Sequence, residues 1–337
     1  MKQVIEKLSK EKSAQWPDFF KIISQDLEIL EENLVVKLPA KSKLLKEIIS
    51  YIFLSGGKRL RPAISLLIAK ATGGVKDKHI ILSEITELIH TASLIHDDII
   101  DSAKLRRGNE TINSLWNNKI SVIAGDFLFG QASVKLGELE NTEIVKIYAN
   151  VLSDLCDGEI EQFSLLFNPD ITLEKYIGKS TSKTASLFAA CCKASALINN
   201  QPIEIVNSCN QYGLSLGIAF QIVDDILDFT SDSKESGKDV FSDLKNGLIT
   251  APTLFALNSS NERAKQIRIL IESRFNNNEN DFDKALRLVF ELGGCEQAKQ
   301  LALNYIENAK ESLSFIKNPE LKDYLLAIPE TITKKIK

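Results

Sequence analysis

Two long stretches, 79–103 and 203–230, constrain this chain more than any other feature. Each is apolar nearly all round a helix, so each belongs inside a bundle rather than on its surface. Each nevertheless carries three aspartates near its C-terminal end: Asp97, Asp98 and Asp101 in the first, Asp224, Asp225 and Asp228 in the second. A buried carboxylate needs a partner, and the negative end of the helix dipole makes a bare one worse. No Lys or Arg stands inside either cluster, so a cation is required from elsewhere.

The remaining sequence agrees with a helical protein. Leu82, Ile85, Leu88, Ala92 and Ile95 recur at three- and four-residue spacing, which is helical periodicity, and alternating apolar/polar runs are scarce. The pattern predicts helices over 18–34, 41–55, 61–72, 79–103, 112–137, 143–167, 173–198, 203–230, 248–258, 262–274, 281–292, 295–314 and 319–328. Gly73-Gly74, Gly108-Asn109, Asn168-Pro169, Asn199-Asn200 and Gly293-Gly294 are the breaks. No low-complexity linker divides the chain, so 1–337 reads as a single all-α domain, with 1–17 a flexible arm. The polar run 232–247 follows the second aspartate cluster and reads as an active-site loop.

On a helix, residues four apart differ by about 40° in direction. Asp97 and Asp101 therefore share a face, as do Asp224 and Asp228, while Asp98 and Asp225 each point about 100° away. A single such pair reads as a solvated helix face. Two clusters inside apolar helices read instead as hard oxygen ligands, with room for water and phosphate, which suits Mg²⁺. The three histidines, His79, His90 and His96, are too few and wrongly spaced for zinc.

Cationic groups lie beside the first cluster. Gly56-Gly57-Lys58-Arg59-Leu60-Arg61-Pro62 ends one predicted helix and opens the next. Its glycines permit a tight backbone turn and Pro62 suits a helix first turn. Lys58 and Arg61 at a helix start make an anion site. Arg106-Arg107 lies just past the first cluster, and guanidinium forks match phosphate oxygens in pairs. Lys183-Thr184 and Lys238 are further candidates. An isolated basic pair is surface charge; basic groups bracketing an acidic cluster are what diphosphates with Mg²⁺ would require.

The net charge of −4 argues against nucleic acid as a partner. Five cysteines show no zinc spacing and read as reduced, buried thiols. No stretch approaches a membrane span, and acids at Glu6 and Glu11 argue against a transit peptide. The expectation is a cytoplasmic protein. The basic end, Lys334-Lys335-Ile336-Lys337, reads as a solvated tail, with peripheral membrane contact during product release the lesser alternative.

Six segments together resemble the successive signatures of the trans-polyprenyl diphosphate synthases: 56–62, 90–101, 105–108, 124–128, 183–185 and 217–228. Their order and approximate spacing cover residues 50–255, and the wording is most similar to the long-chain, solanesyl diphosphate synthase-like branch. The resemblance implies an all-α isoprenoid-synthase bundle around a central cavity, a homodimer, and roughly two or three Mg²⁺ ions per site. It implies that Lys58, Arg61, His90 and Arg107 hold the diphosphate of isopentenyl diphosphate. Arg106, Lys183, Thr184, Gln221 and Lys238 would hold the allylic diphosphate. Asp97, Asp101 and Asp224 would be the principal metal ligands, with Asp228 helping through water. Asp97, Asp101, Asp224, Lys183 and Arg106 would carry the catalysis. One departure follows the second cluster: this chain reads Gly237-Lys238-Asp239-Val240 where a small residue or proline commonly follows the lysine.

The growing product needs space behind the first cluster. Ala92 and Ser93 are small where short-chain members typically place an aromatic floor, so the chain reads as a long-chain synthase. The next floor candidates are Ile89, Leu88 and Ile85, with Ala132, Val134 and Leu136 from the helix near 112–137. Small residues that merely permit close helix packing are the lesser reading. The rivals are a shorter-chain synthase, a terpene cyclase of the same fold, and a non-catalytic partner subunit. Cyclases generally replace the second cluster with an Asn/Asp-Ser/Thr-Glu triad, which this chain lacks.

Overall fold

The protein is described by a computed structural model covering residues 18–106, 108–230 and 241–336. Expectations that fall on 1–17, Arg107, 231–240 (with Lys238) and Lys337 lie outside the described residues.

After a 3₁₀ turn at Asp18–Ile23, the helices are α1 (Ser24–Val36), α2 (Lys43–Leu54), α3 (Leu60–Ala71), α4 (Asp77–Ile100), α5 (Ile112–Leu115), α6 (Asn118–Glu138), α7 (Thr142–Ser164) and α8 (Leu173–Ser180). A π-helical turn, Thr181–Ala185, leads directly into α9 (Ser186–Ile198). There follow α10 (Ile203–Thr230), α11 (Ser242–Lys245), α12 (Ala251–Leu257), α13 (Arg263–Glu272), α14 (Asp281–Glu291), α15 (Gly294–Glu311) and α16 (Pro319–Thr333). Among the described residues, extended structure is confined to one antiparallel hairpin, β1 (Leu105–Arg106) with β2 (Asn109–Glu110). The chain is all-α, as expected.

Local chemistry explains where the predicted helices divide. The helix expected over 112–137 breaks because Asn117 turns out of it and its side chain accepts the Ile120 N–H at 3.0 Å, capping α6. Thr172 caps α8 in the same way through the Lys175 N–H. The helix expected over 173–198 is divided by the π-helical turn. The segment read as a loop over 232–247 contains the short helix α11.

The chain resolves into two compact units. The first takes its described residues from Met1–Tyr148, Ala190–Asn210 and Phe315–Ala327. Helix α4 is its axis and packs most extensively against α6 and α3. Leu82, Ile85, Leu88, Ile89 and Ala92 are all buried, with Ile64 and Leu67 of α3 and Leu128 and Ala132 of α6. Polar α4 residues between them (Ser83, Glu84, Thr86, Glu87) are buried too, so the helix is enclosed on every side over these turns.

The second unit takes its described residues from Ala149–Ala189, Gln211–Ser314 and Ile328–Lys337. Tyr212, Ile222 and Ile226 of α10 lie in its core with Phe188, Leu254 and Val289. Helix α10 approaches the π-helical turn very closely at Gly217, where a Cβ would stand 2.5 Å from the Ala185 Cα. Only glycine permits that approach.

The cysteines depart from expectation. Cys191, Cys192 and Cys209 are buried and outside any disulfide, but Cys156 is exposed and Cys295 partly so.

Candidate active site

In the first unit, the C-terminal turn of α4 carries the first aspartate cluster. Asp97 is half-buried in the last turn, and Asp101 is exposed just beyond it, its N–H donating to the Asp97 carbonyl at 2.8 Å. Asp98 points elsewhere. It is buried, and one of its oxygens accepts both Nε and Nη2 of Arg106 at 2.8 Å. The cation that the cluster lacks in sequence thus reaches Asp98 from eight residues downstream.

Arg106 is carried by the β1–β2 hairpin. The Asn109 side chain donates to the Ser55 carbonyl at 3.3 Å, and the Tyr51 hydroxyl to the Glu110 carbonyl at 2.8 Å. These bonds tie the hairpin to the end of α2, where Gly56 adopts φ +104°, a conformation glycine takes without strain. Lys58 is exposed, and Arg61 and His90 are half-buried. The Arg61 Nη1 donates to His90 Nε2 at 3.0 Å, so His90 accepts there as a neutral ring nitrogen.

Upstream on α4, Ala92, Ile89, Leu88 and Ile85 are fully buried, while Ser93 is half-buried and donates to the His90 carbonyl at 2.9 Å. Ala132 and Leu136 are buried on α6. Val134 is not: it is 59% exposed on the opposite face of α6, which removes it from the interior residues named as a floor.

In the second unit, the π-helical turn presents Lys183 and Thr184. The Lys183 ammonium pairs with Glu159 at 2.6 Å. Thr184 donates to Gln221 at 2.7 Å, Gln221 donates to Asp225 at 2.8 Å, and the Tyr176 hydroxyl donates to the other Asp225 oxygen at 2.5 Å. The Ala251 N–H completes the set at 3.3 Å. Burial pushes the Asp225 carboxyl above the usual carboxylate range, while Lys179, Tyr176 and Gln221 oppose it.

Asp224 is exposed. Asp228 accepts from the Ser242 hydroxyl at 3.2 Å and the Asp243 N–H at 3.3 Å, and its carbonyl accepts the Phe241 N–H at 3.0 Å. The end of the polar segment thus folds back onto the second cluster. Asp243, which carried no sequence signal, is pushed up to about 7 by burial and by the charges of Asp228, Asp225 and Asp224. Lys179, equally unmarked in sequence, is buried among these acids; burial lowers its pKa while Asp225 and Asp243 hold it up.

These residues fit Mg²⁺. Excess negative charge accumulates around Asp243, which a divalent cation would relieve. The carboxylates of both clusters offer hard oxygens, and in each unit one of them, Asp101 in the first and Asp224 in the second, stands exposed. Among the described residues, no three His, Cys, Asp or Glu side chains form a ready-made cage. Mg²⁺ asks for less than a cage, being held commonly by one or two carboxylates with waters and phosphate oxygens.

Residues 42–289, drawn from both units, match the family model described as Polyprenyl synthetase. The chain is 42% identical to a protein named "Prenyl transferase" from Synechocystis sp., over 94% of this chain and 98% of that one. It is 41% identical to "Solanesyl diphosphate synthase 2, chloroplastic" of Arabidopsis thaliana, over 88% of this chain and 71% of that one. Its backbone is similar to the crystal structure of a decaprenyl diphosphate synthase from Rhodobacter capsulatus, with a TM-score of 0.88, 29% identity, and coverage of 95% of this chain and 98% of that one.

Proposed function

The chain belongs to the polyprenyl synthetase family, and from that premise we propose that it is a long-chain all-trans polyprenyl diphosphate synthase making solanesyl diphosphate for a quinone side chain. It condenses isopentenyl diphosphate with an allylic diphosphate, farnesyl or geranylgeranyl. Relatives that carry the solanesyl name over most of this chain support the product, and the buried Ala92 on α4 supports the length.

Lys58, Arg61 and His90 hold the diphosphate of isopentenyl diphosphate, with Arg107. Arg106, Lys183, Thr184 and Gln221 hold the allylic diphosphate, with Lys238. Asp97, Asp101 and Asp224 are the principal ligands for Mg²⁺, with Asp228 helping. When bound, Mg²⁺ supplies positive charge against the departing diphosphate. Arg106 and Lys183 add to that charge. The allylic C–O bond breaks, the isopentenyl double bond attacks the allylic cation, and the released diphosphate takes the final proton. The apolar side chains of α4 keep water from the cation.

The carrying observation is the Arg61–His90 contact beside exposed Lys58, on a family member whose α4 is small at residue 92. Homodimer formation and cytoplasmic placement belong to the same reading. A stripe of Ile123, Phe127, Gly130 and Val134 on α6 supports the dimer, since Ile123 and Val134 leave apolar surface exposed. Among the described residues no helix is long and apolar enough to cross a membrane. Purified protein incubated with labelled isopentenyl diphosphate, geranylgeranyl diphosphate and Mg²⁺ tests the activity. The dephosphorylated product is expected to co-migrate with solanesol. Absence of isopentenyl incorporation would overturn the proposal.

A further inference from the structure

Arg59 stands between two residues assigned to substrate, Lys58 and Arg61, yet its side chain turns the other way. It is 4% exposed. Its Nε donates to Glu31 Oε1 at 2.5 Å and its Nη2 to Glu31 Oε2 at 3.3 Å. Its Nη1 donates to Glu87 Oε1 at 2.8 Å, and Nη2 also donates to the Phe53 carbonyl at 3.0 Å. One guanidinium therefore grips α1 through Glu31, the last turn of α2 through Phe53, and α4 through Glu87. Its own backbone opens α3.

That backbone is left-handed, with φ 46° and ψ 35°. A non-glycine residue holds this conformation only where its surroundings fix it, and here the fixing contacts are the ones just given. They also fix what flanks Arg59. Glu87 and His90 are three apart on α4 and so are neighbours on its surface. Arg59–Glu87 and Arg61–His90 are then two adjacent rungs joining the start of α3 to α4. A shift of the first rung moves the second, and with it Lys58.

We infer that Arg59 is a positioning residue that sets the geometry of the isopentenyl diphosphate subsite without touching the substrate. The inference rests on the assignment of Lys58, Arg61 and His90 to that diphosphate. A role in folding alone would lower stability and leave the two substrates affected alike. A positioning role separates them, because the clamp adjoins one diphosphate subsite only.

The test uses full-length Arg59→Lys, which keeps the charge but loses the fork. The expected result is a KM for isopentenyl diphosphate raised about tenfold, with kcat and the KM for the allylic substrate within about threefold. Glu87→Gln keeps the size and shape of the side chain while removing its charge and is read on the same scale, so the test survives if Arg59→Lys does not fold. An unchanged isopentenyl KM in a folded variant overturns the inference, as does an equal rise for both substrates. Lys58→Ala separates the two layers. If it leaves the isopentenyl KM unchanged, the subsite assignment fails and the inference with it. If it raises that KM while Glu87→Gln does not, only the positioning role fails.

Discussion

Arg106 directs two nitrogens, Nε and Nη2, at a single oxygen of Asp98, each 2.8 Å away. The middle aspartate of the first cluster therefore orients an arginine, while Asp97 and Asp101 remain on the neighbouring face.

From this division, Asp98→Asn and Asp101→Asn should fail differently. Losing a charge-assisted contact costs about 1.5–3 kcal/mol, or roughly 10–100-fold in the step that uses it. Asp98→Asn should raise the KM for the allylic diphosphate by about that factor and leave the Mg²⁺ concentration for half-maximal activity unchanged. Asp101→Asn should raise that Mg²⁺ concentration. Metal titrations of both variants check the distinction.

Gly217 allows α10 to lie against the π-helical turn, since a Cβ there would meet the Ala185 Cα at 2.5 Å. Gly217→Ala forces the two backbones apart and should cost about 1–3 kcal/mol of stability. It should also stretch the Thr184–Gln221 hydrogen bond one turn further along. The expected kinetic result is a raised allylic KM, read beside the melting temperature.

Ala92 is completely buried on α4, five residues before Asp97. Ala92→Phe should shorten the main product, seen by chromatography of the dephosphorylated alcohols. An unchanged product length would remove residue 92 from the determinants of length.

Asp243 gives the metal-free protein a pH signature. Its folded value of about 7 lies above the ordinary 3.8, so the folded state keeps a proton that the unfolded chain has released. Stability from this group is complete below about pH 4 and is lost as pH rises through about 7, by up to roughly 4 kcal/mol. Asp225, raised by the same burial, acts in the same direction. Without metal, the melting temperature should therefore fall between about pH 4 and pH 7 more steeply in the wild type than in Asp243→Asn. Added Mg²⁺ should reduce the difference.

The long helices α4 and α10 were legible because apolar residues kept one period for many turns while aspartates gathered at one end. Lys58 and Arg61 were singled out by their type at a predicted helix start, whereas His90 entered only through the family resemblance. Arg59 was not: a Lys-Arg pair reads as surface charge, and its burial depends on Glu31 and Glu87, each 28 residues away in sequence. Lys179 and Asp243 were hidden for the same reason, since their meeting with Asp225 depends on chain reversals no local pattern encodes. The β1–β2 hairpin escaped because two-residue strands are too short to alternate.

The π-helical turn at Thr181–Ala185 holds one residue more than an α-helix would need there. Everything after it is rotated by about 100° relative to what precedes it. Tyr176, before the turn, donates to Asp225, and Lys183, within it, pairs with Glu159. A one-residue deletion in this turn would leave a regular helix, with every backbone bond made, and would scramble which side chains meet the second cluster. The site depends on an out-of-phase splice, which makes this the segment where a shorter chain would be a different enzyme or none.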